Sequence, residues 1–141
     1  MRILVLCTGN SALSQMAEGH LRTFDSRLEV FSAGTVQART VSPYSVRVMQ
    51  EAGIDIARAQ PKSVEQFLGQ AFDFVITVCD DADRDCPVFS GRVGRRVHLS
   101  FQEPARAVGS PEDLLGLFRR VRDEIKTRLE VFYQLEVLPL L

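Results

Sequence analysis

The chain has 141 residues, of which 45% are hydrophobic and 25% are charged. This length and composition predict a single domain over residues 1–141 that buries enough apolar surface to fold without disulfides or a structural metal. The formal net charge is -1, so the sequence lacks the basic excess of a general nucleic-acid or membrane-surface binder. We expect neither a nucleic acid nor a membrane as a partner.

Three cysteines form the least ordinary feature of the composition, because an odd number cannot pair completely within one chain. The apolar run near the N-terminus, 3–6, is too short for a signal peptide or a membrane span. We therefore expect a cytoplasmic protein. In that reducing environment, cysteines serve more often in packing, metal binding, redox chemistry or catalysis than in structural disulfides.

The first half of the chain predicts alternating strands and helices. The run 3–6 indicates a buried strand, and a loop of small residues, 8–11, follows Cys7. A second strand is predicted over 28–33 and ends at Gly34. A helix is predicted before that strand in the chain, with apolar residues at Leu13, Met16, Ala17 and Leu21. Another is predicted after the strand; it is opened by Ser42-Pro43 and has Val46, Met49 and Ala52 on one face.

The second half continues the alternation with a short helix over 62–68, a buried strand over 74–78 and a short strand over 97–99. Ser110 and Pro111 are the expected N-cap and first residue of a long helix. The predicted apolar stripe of that helix contains Leu114, Leu117, Phe118, Val121, Ile125, Leu129 and Phe132.

This order of elements predicts an α/β fold, a single-domain doubly wound sheet of four parallel strands flanked by helices. Ligands of such folds bind beyond the carboxyl ends of the strands. Cys7, Cys79 and the segment 101–105 each follow a predicted strand. We therefore expect these three positions to lie together at one edge of the sheet.

Cys7 occupies a position with recognisable chemistry, since it ends a strand and precedes a small-residue loop and a helix N-terminus. Backbone N–H groups and the helix dipole favour negative charge there. Such surroundings lower a cysteine pKa to about 3.5 to 7.5, and the same N–H groups can hold a tetrahedral oxyanion. A buried cysteine that merely ends a core strand is the alternative that the spacing leaves open.

Several segments together resemble one family. The loop and helix start, CTGNSALSQMAE over 7–18, is similar to that of thioredoxin-coupled arsenate reductases, which are relatives of low-molecular-weight tyrosine phosphatases. The similarity extends to 31–35, 75–80, Cys86-Pro87 and 118–125. The resemblance implies the phosphatase-like fold, a nucleophile at Cys7, and an oxyanion-binding loop formed by Thr8, Gly9, Asn10, Ser11, Ala12, Leu13 and Ser14.

One position departs from the family. Where the family has an arginine that binds two oxygens of the oxyanion, this sequence has Leu13. Losing such a contact costs on the order of 3 kcal/mol in the transition state, or roughly a hundredfold in rate. Arg84 and Arg106 are candidates for a substitute cation.

The second and third cysteines, Cys79 and Cys86, are seven residues apart. On a helix they would be about 10 Å apart, too far for a disulfide, so pairing requires the polar segment 80–85 to leave helical geometry. This spacing matches no usual zinc motif, and no metal site or other cofactor is predicted. Two unrelated cysteines remain the alternative.

The resemblance implies a relay in which Cys7 attacks arsenate, Cys79 attacks Cys7, and Cys86 attacks Cys79, after which thioredoxin reduces the final disulfide. It also implies that Glu103, which stands before Pro-Ala where the family has an aspartate, is the general acid. Glu18 and Ser32 are expected to position Asn10. Lys62 is expected to replace a potassium ion that some relatives bind.

Two other functions stay open. A low-molecular-weight phosphatase would need Cys7 and Glu103 but no further cysteine, and the family's aromatic pair after the acid loop is absent, because Ala105 and Arg106 follow Pro104. A thiol sensor or arsenite-binding protein would retain reactive cysteines without turnover, and Leu13 is the reason to consider it.

Overall fold

The computed structural model describes residues 1–81 and 86–141. Within these residues, four parallel strands form one sheet in the order β2-β1-β3-β4. The strands are β1 (Arg2–Cys7), β2 (Glu29–Gly34), β3 (Ala71–Thr77) and β4 (Arg92–His98). The predicted α/β fold with a four-stranded parallel sheet is confirmed.

The central strand β1 explains why its sequence is uniformly apolar. It pairs with β2 on one side and β3 on the other, with Leu6 in register with Ala33 and Thr77. Successive side chains of a strand point to opposite faces, so both faces of β1 are buried. Ile3 and Val5 join the larger core cluster, whereas Leu4 and Leu6 pack on the other face of the sheet, against a cluster that includes Phe67, Phe72 and Phe89.

Three α-helices in the described ranges flank the sheet, α1 (Leu13–Phe24), α2 (Pro43–Glu51) and α3 (Pro111–Phe132). α3 packs against both α1 and α2, and a π-helical turn (Tyr133–Val137) and a 3-10 turn (Leu138–Leu140) follow it. Short 3-10 helices span Val64–Phe67 and Pro104–Arg106. None of these helices is long and apolar enough to span a membrane.

The start of α3 is as predicted. The Ser110 side chain accepts a hydrogen bond from the Asp113 backbone N–H, and the Asp113 carboxylate accepts one from the Ser110 N–H. This reciprocal arrangement satisfies amides that the first helical turn leaves unpaired. Pro111 follows at the first helical position, where it has no N–H to satisfy.

The fourth strand differs from its prediction, since it spans Arg92–His98 and not 97–99. β4 is an edge strand that pairs with β3 alone, and its side chains are largely exposed. Its sequence, RVGRRVH, therefore carries no continuous apolar run to mark it.

The buried faces of two helices also differ from prediction. In α3, Leu115 is buried where Leu114 and Leu117 were expected, and both of those leucines are partly exposed. In α2, the buried residues are Ser45, Val48 and Met49, while Ala52 lies beyond the helix and is exposed. The other predicted members of the α3 stripe are buried as expected: Phe118, Val121, Ile125, Leu129 and Phe132. In α2 the buried face is displaced by about one residue from the predicted one.

Candidate active site

Cys7 is the last residue of β1 and its side chain is a free, buried thiol, 3% exposed. The loop 8–12 follows, and α1 begins at Leu13. Within this loop, Asn10 has φ 52°, in the left-handed region that few residues other than glycine and asparagine adopt readily. This turn directs the Asn10 backbone N–H back to the Cys7 sulfur, at a distance of 3.2 Å.

A second group reaches the same sulfur from the first turn of α1. Ser14 Oγ lies 2.9 Å from Cys7 Sγ, and the Ser14 main chain also acts to lower the pKa of this cysteine. Hydrogen bonds to a thiolate stabilise its charged form. The loop and the helix N-terminus therefore both stabilise negative charge at Cys7, as the position of the cysteine predicted.

The pKa of Cys7 is nevertheless raised above its ordinary value, mainly because burial disfavours the thiolate. Hydrogen bonds from Ser14 and Asn10 lower the pKa but do not offset this burial, and the carboxylate of Glu103 raises it further. The predicted lowering of the Cys7 pKa is therefore wrong. Leu13, 0% exposed, lies in the same core cluster as Cys7 and contributes apolar packing where the family has a cation.

The side chain of Asn10 links the loop to several neighbouring residues by hydrogen bonds. Its Nδ2 donates to Ser14 Oγ at 2.8 Å and to Ser32 Oγ at 2.9 Å. Its Oδ1 accepts from Gln15 Nε2 at 3.0 Å and from the Lys62 backbone N–H at 2.8 Å. The structure thus brings Ser32 and the Lys62 main chain to Asn10. Gln15 was not predicted from the sequence, although a glutamine beside the predicted apolar stripe of α1 was a usable signal.

The outer side of the loop is bonded to the segment 36–42, an association that the sequence did not predict. Three backbone N–H groups of this segment donate to loop carbonyl oxygens at 2.9 to 3.0 Å: Val36 to Thr8, Ala38 to Gly9, and Ser42 to Ser11. Ser11 Oγ donates to the Thr40 carbonyl at 3.1 Å, so its hydroxyl bonds to the segment 36–42 and not to the Cys7 sulfur. Gly34 permits the close approach of β2, since a Cβ there would collide with the Thr8 carbonyl oxygen.

Glu18 and Lys62 lie on the other side of Asn10, at a cleft of about 700 Å³ that Arg22 also lines. Glu18 forms an ion pair with Arg22 at 3.5 Å, in place of the expected contact with Asn10, and its Oε1 is buried without a hydrogen-bond partner among the described residues. Lys62 Nζ donates to the Gln60 carbonyl at 3.1 Å. Burial lowers the pKa of Lys62, while the negative charge of Glu18 opposes that shift.

Cys79 and Cys86 are joined by a disulfide with a Cα–Cα distance of 5.8 Å. They are therefore not unrelated cysteines, and their separation is about half of the 10 Å that seven residues span along a helix. Cys79 is 1% exposed and lies in the core cluster that contains Cys7, whereas Cys86 is partly exposed. The Val78 N–H donates to the Leu6 carbonyl at 2.9 Å, which aligns the residues before Cys79 and Cys7 side by side. Arg84, one candidate for a substitute cation, lies outside the described residues.

Glu103 reaches this edge of the sheet from the loop that follows β4. Its side chain accepts a hydrogen bond from the Ala105 N–H at 3.0 Å and caps the turn Pro104–Arg106. Its own N–H donates to Asp80 Oδ2 at 2.9 Å, which places Glu103 beside the residue that follows Cys79. The ends of β1, β3 and β4 thus assemble Cys7, Cys79 and Glu103 at one edge, as predicted. Arg106, the other candidate cation, ends the capped turn.

The described part of the chain holds no cluster of three or more His, Cys, Asp or Glu side chains suited to a metal ion. The chemistry available at this edge is that of a thiol with hydrogen-bond donors, a neighbouring disulfide and a carboxylate. This combination suits nucleophilic attack by sulfur, thiol–disulfide exchange and proton transfer.

Comparisons with known proteins agree with this geometry. The sequence pattern of the family described as low molecular weight phosphotyrosine protein phosphatase matches residues 2–137. The arsenate reductase of Halalkalibacterium halodurans is 43% identical over 131 residues, 92% of this chain and 93% of the relative, and that of Bacillus subtilis is 41% identical over the same shares. A crystal structure of arsenate reductase from Archaeoglobus fulgidus is similar with a TM-score of 0.72 and 28% identity, over 92% of this chain and 97% of that one. The chain therefore belongs to the low molecular weight phosphotyrosine protein phosphatase family, within which it is similar to arsenate reductases.

Proposed function

We propose that this chain is an arsenate reductase, which converts arsenate to arsenite through Cys7, Cys79 and Cys86 and is reset by thioredoxin. The observation that carries the proposal is the pairing of Cys79 with Cys86 at the end of β3, beside the free thiol of Cys7 at the end of β1. Phosphatase chemistry needs one cysteine. A disulfide next to the nucleophile favours a redox reaction instead.

Oxyanion binding is assigned to the loop after Cys7. Its members are Thr8, Gly9, Asn10, Ser11, Ala12, Leu13 and Ser14, and the Asn10 N–H already donates to the sulfur. Backbone N–H groups in such a loop stabilise negative oxygens. Ser32 and Lys62 support the loop by bonds to Asn10, whereas Glu18 pairs with Arg22. The ammonium group of Lys62 takes the place of a bound potassium ion.

The relay runs in three steps. The Cys7 thiolate attacks arsenic(V), and an As–OH bond breaks as Glu103 donates a proton, so that this hydroxyl leaves as water. Cys79 then attacks Cys7 Sγ, so that the sulfur–arsenic bond breaks, its electron pair stays on arsenic, and arsenite leaves as a Cys7–Cys79 disulfide forms. Cys86 finally attacks Cys79, which releases the Cys7 thiolate and leaves the Cys79–Cys86 disulfide.

The disulfide recorded in the structure corresponds to the product of the last step, with Cys7 free and Cys79 bonded to Cys86. Two electrons from an external dithiol return the enzyme to its starting state. Thioredoxin, in the cytoplasm, is the proposed donor, because its exposed dithiol is suited to reduce a protein disulfide.

A second function, a thiol sensor or arsenite binder, is favoured by two observations. Leu13 is buried in the core where a cation would bind the oxyanion, and the pKa of Cys7 is raised. Both slow the first step of the reductase. Neither feature prevents the three thiols from binding trivalent arsenic once the disulfide is reduced.

The variant Cys86→Ser separates these functions, because it stops the relay after the second step. Reduced Cys86→Ser protein treated with arsenate is expected to release about one arsenite per chain and to accumulate a Cys7–Cys79 disulfide, measured by arsenic speciation and peptide mass spectrometry. Cys7→Ser, the matched control, releases none. Absence of both arsenite and the trapped disulfide contradicts the reductase; aryl-phosphate hydrolysis would indicate a phosphatase, and binding of added arsenite alone would indicate a sensor.

A further inference from the structure

We infer that Arg39 supplies the cation that binds the substrate oxyanion in place of the arginine missing at position 13. The inference rests on the proposed function, since it names the residue that makes arsenate binding feasible in this chain. Arg39 lies on the segment 36–42, which is bonded along the outer side of the Cys7 loop.

Without a positively charged side chain, the groups around the loop would bind a dianion weakly. Leu13 is apolar and buried, so position 13 offers no charge to a bound oxyanion. An arsenate or phosphate dianion next to Cys7 would meet the neutral N–H groups of the loop. A positively charged side chain adds charge-assisted hydrogen bonds, which are about twice as strong as neutral ones.

The backbone geometry brings Arg39 to the loop. Its neighbour Ala38 donates a backbone hydrogen bond of 2.9 Å to the Gly9 carbonyl, and a Cβ built on Gly9 would lie 3.9 Å from Ala38 Cβ. On the other side, the Thr40 carbonyl accepts from Ser11 Oγ at 3.1 Å. Arg39 is therefore held between two residues that are both bonded to the loop, while its own side chain is exposed.

Arg39 is also available to bind a ligand. Within residues 1–81 and 86–141 it forms no hydrogen bond or ion pair, whereas Arg22 pairs with Glu18 and Arg119 pairs with Glu51. Lys62 is bonded to Asn10 through its main chain, but its Nζ is bonded to the Gln60 carbonyl. A long side chain with a planar guanidinium can reach over the loop and bind two oxygens of a tetrahedral anion.

The test measures how well inorganic phosphate protects Cys7 from iodoacetamide. In the oxidised protein Cys79 and Cys86 are in the disulfide, so Cys7 is the thiol that is labelled. Arg39→Gln is compared with Arg47→Gln, an exposed arginine on α2 and the matched control. Both substitutions are made in the present chain and in a Leu13→Arg background. Arsenate reduction by the same variants is measured in parallel.

We expect Arg39→Gln to weaken phosphate protection about tenfold when position 13 is leucine, as loss of a charge-assisted hydrogen bond predicts, and less than about threefold when it is arginine. Arg47→Gln is expected to change protection less than about twofold in either background. Equal effects of Arg39→Gln in both backgrounds, or no effect in either, would overturn the assignment. If no variant reduces arsenate, the proposed function fails, but phosphate protection still decides the role of Arg39.

Discussion

The hydroxyl oxygen of Ser14 lies 2.9 Å from the sulfur of Cys7. This contact joins the first turn of α1 to the last residue of β1. It is the largest of the hydrogen-bond effects that lower the Cys7 pKa against the raising effect of burial. The Ser14 side chain, from the helix that follows the loop, therefore contributes to the reactivity of the nucleophile.

Replacing Ser14 by alanine tests that dependence. Loss of a hydrogen bond to the charged sulfur, worth about 1.5 kcal/mol or more, should raise the pKa of Cys7 further and slow its alkylation at a fixed neutral pH about tenfold. The measurement is the rate of iodoacetamide labelling against pH. Ser11→Ala is the control, because the Ser11 hydroxyl bonds to Thr40 and not to sulfur. Equal labelling rates in both variants would show that the Ser14 contact has no effect on the thiolate.

Asn10 provides a test of loop stability. Asn10→Gly removes the side-chain bonds to Ser14, Ser32 and the Lys62 N–H but tolerates the positive φ, and we expect a loss of about 3 kcal/mol in the free energy of unfolding. Asn10→Ala should cost about 1 kcal/mol more, because alanine is strained at φ 52°. Urea unfolding of both variants measures the two effects separately. An alanine variant as stable as the glycine variant would contradict the strain.

His20 predicts how stability depends on pH. The ring is 1% exposed between α1 and α3, its Nε2 lies 3.1 Å from the Arg122 carbonyl, and burial lowers its pKa from 6.5 to about 4. Lys126 and Arg122 lower this pKa and Asp123 raises it. The unfolded chain therefore binds a proton more readily than the folded protein, so stability falls as the pH decreases from about 6.5 to about 4, by about 3 kcal/mol.

Urea unfolding of the chain and of His20→Phe over this pH range checks the prediction. In His20→Phe, the free energy of unfolding should change much less between the two ends of this pH range than it does in the unmodified chain. This holds whatever the absolute stability of the variant. His98→Gln is the control, because His98 lies on the exposed edge strand β4. If His20→Phe and the unmodified chain lose stability equally, protonation of His20 is not the cause.

The exposure of the disulfide predicts where the reductant attacks. Cys79 is buried in the core and Cys86 is partly exposed. Since thiol–disulfide exchange depends on access to the attacked sulfur, the mixed disulfide with thioredoxin should form on Cys86 and release Cys79. A thioredoxin variant that lacks its second cysteine traps this species, and peptide mass spectrometry locates the bond. A trapped bond on Cys79 would contradict the prediction.

The features that were predicted correctly from sequence are those with strong local signals. The continuous apolar runs of β1 and β3, the Ser110-Pro111 helix start, and the placement of Cys7, Cys79 and Glu103 after strands all follow from periodicity, capping and the geometry of parallel sheets. Each is determined by neighbouring residues or by strand order. They sufficed to locate the site at one edge of the sheet.

The features that were missed depend on contacts between distant segments. The bonds from 36–42 to the loop, and the role of Gln15, arise when β2 is already beside β1. β4 carries few buried side chains, so its extent is set by pairing with β3 and not by its own pattern. The direction of the Cys7 pKa depends on how deeply the sulfur is buried and on the charge of Glu103, which spacing alone does not reveal.

The most direct test of the reductase compares arsenate reduction coupled to thioredoxin in this chain and in Leu13→Arg, with Cys7→Ser as the inactive control. Restoring an arginine beside Cys7 supplies a charge-assisted contact to the oxyanion and lowers the cost of forming the thiolate. With Arg39 as the cation in the present chain and a second cation added in Leu13→Arg, we predict measurable activity in the chain and an increase of kcat/KM of at least about tenfold in Leu13→Arg. Absence of arsenate reduction in a folded Leu13→Arg protein would contradict the account.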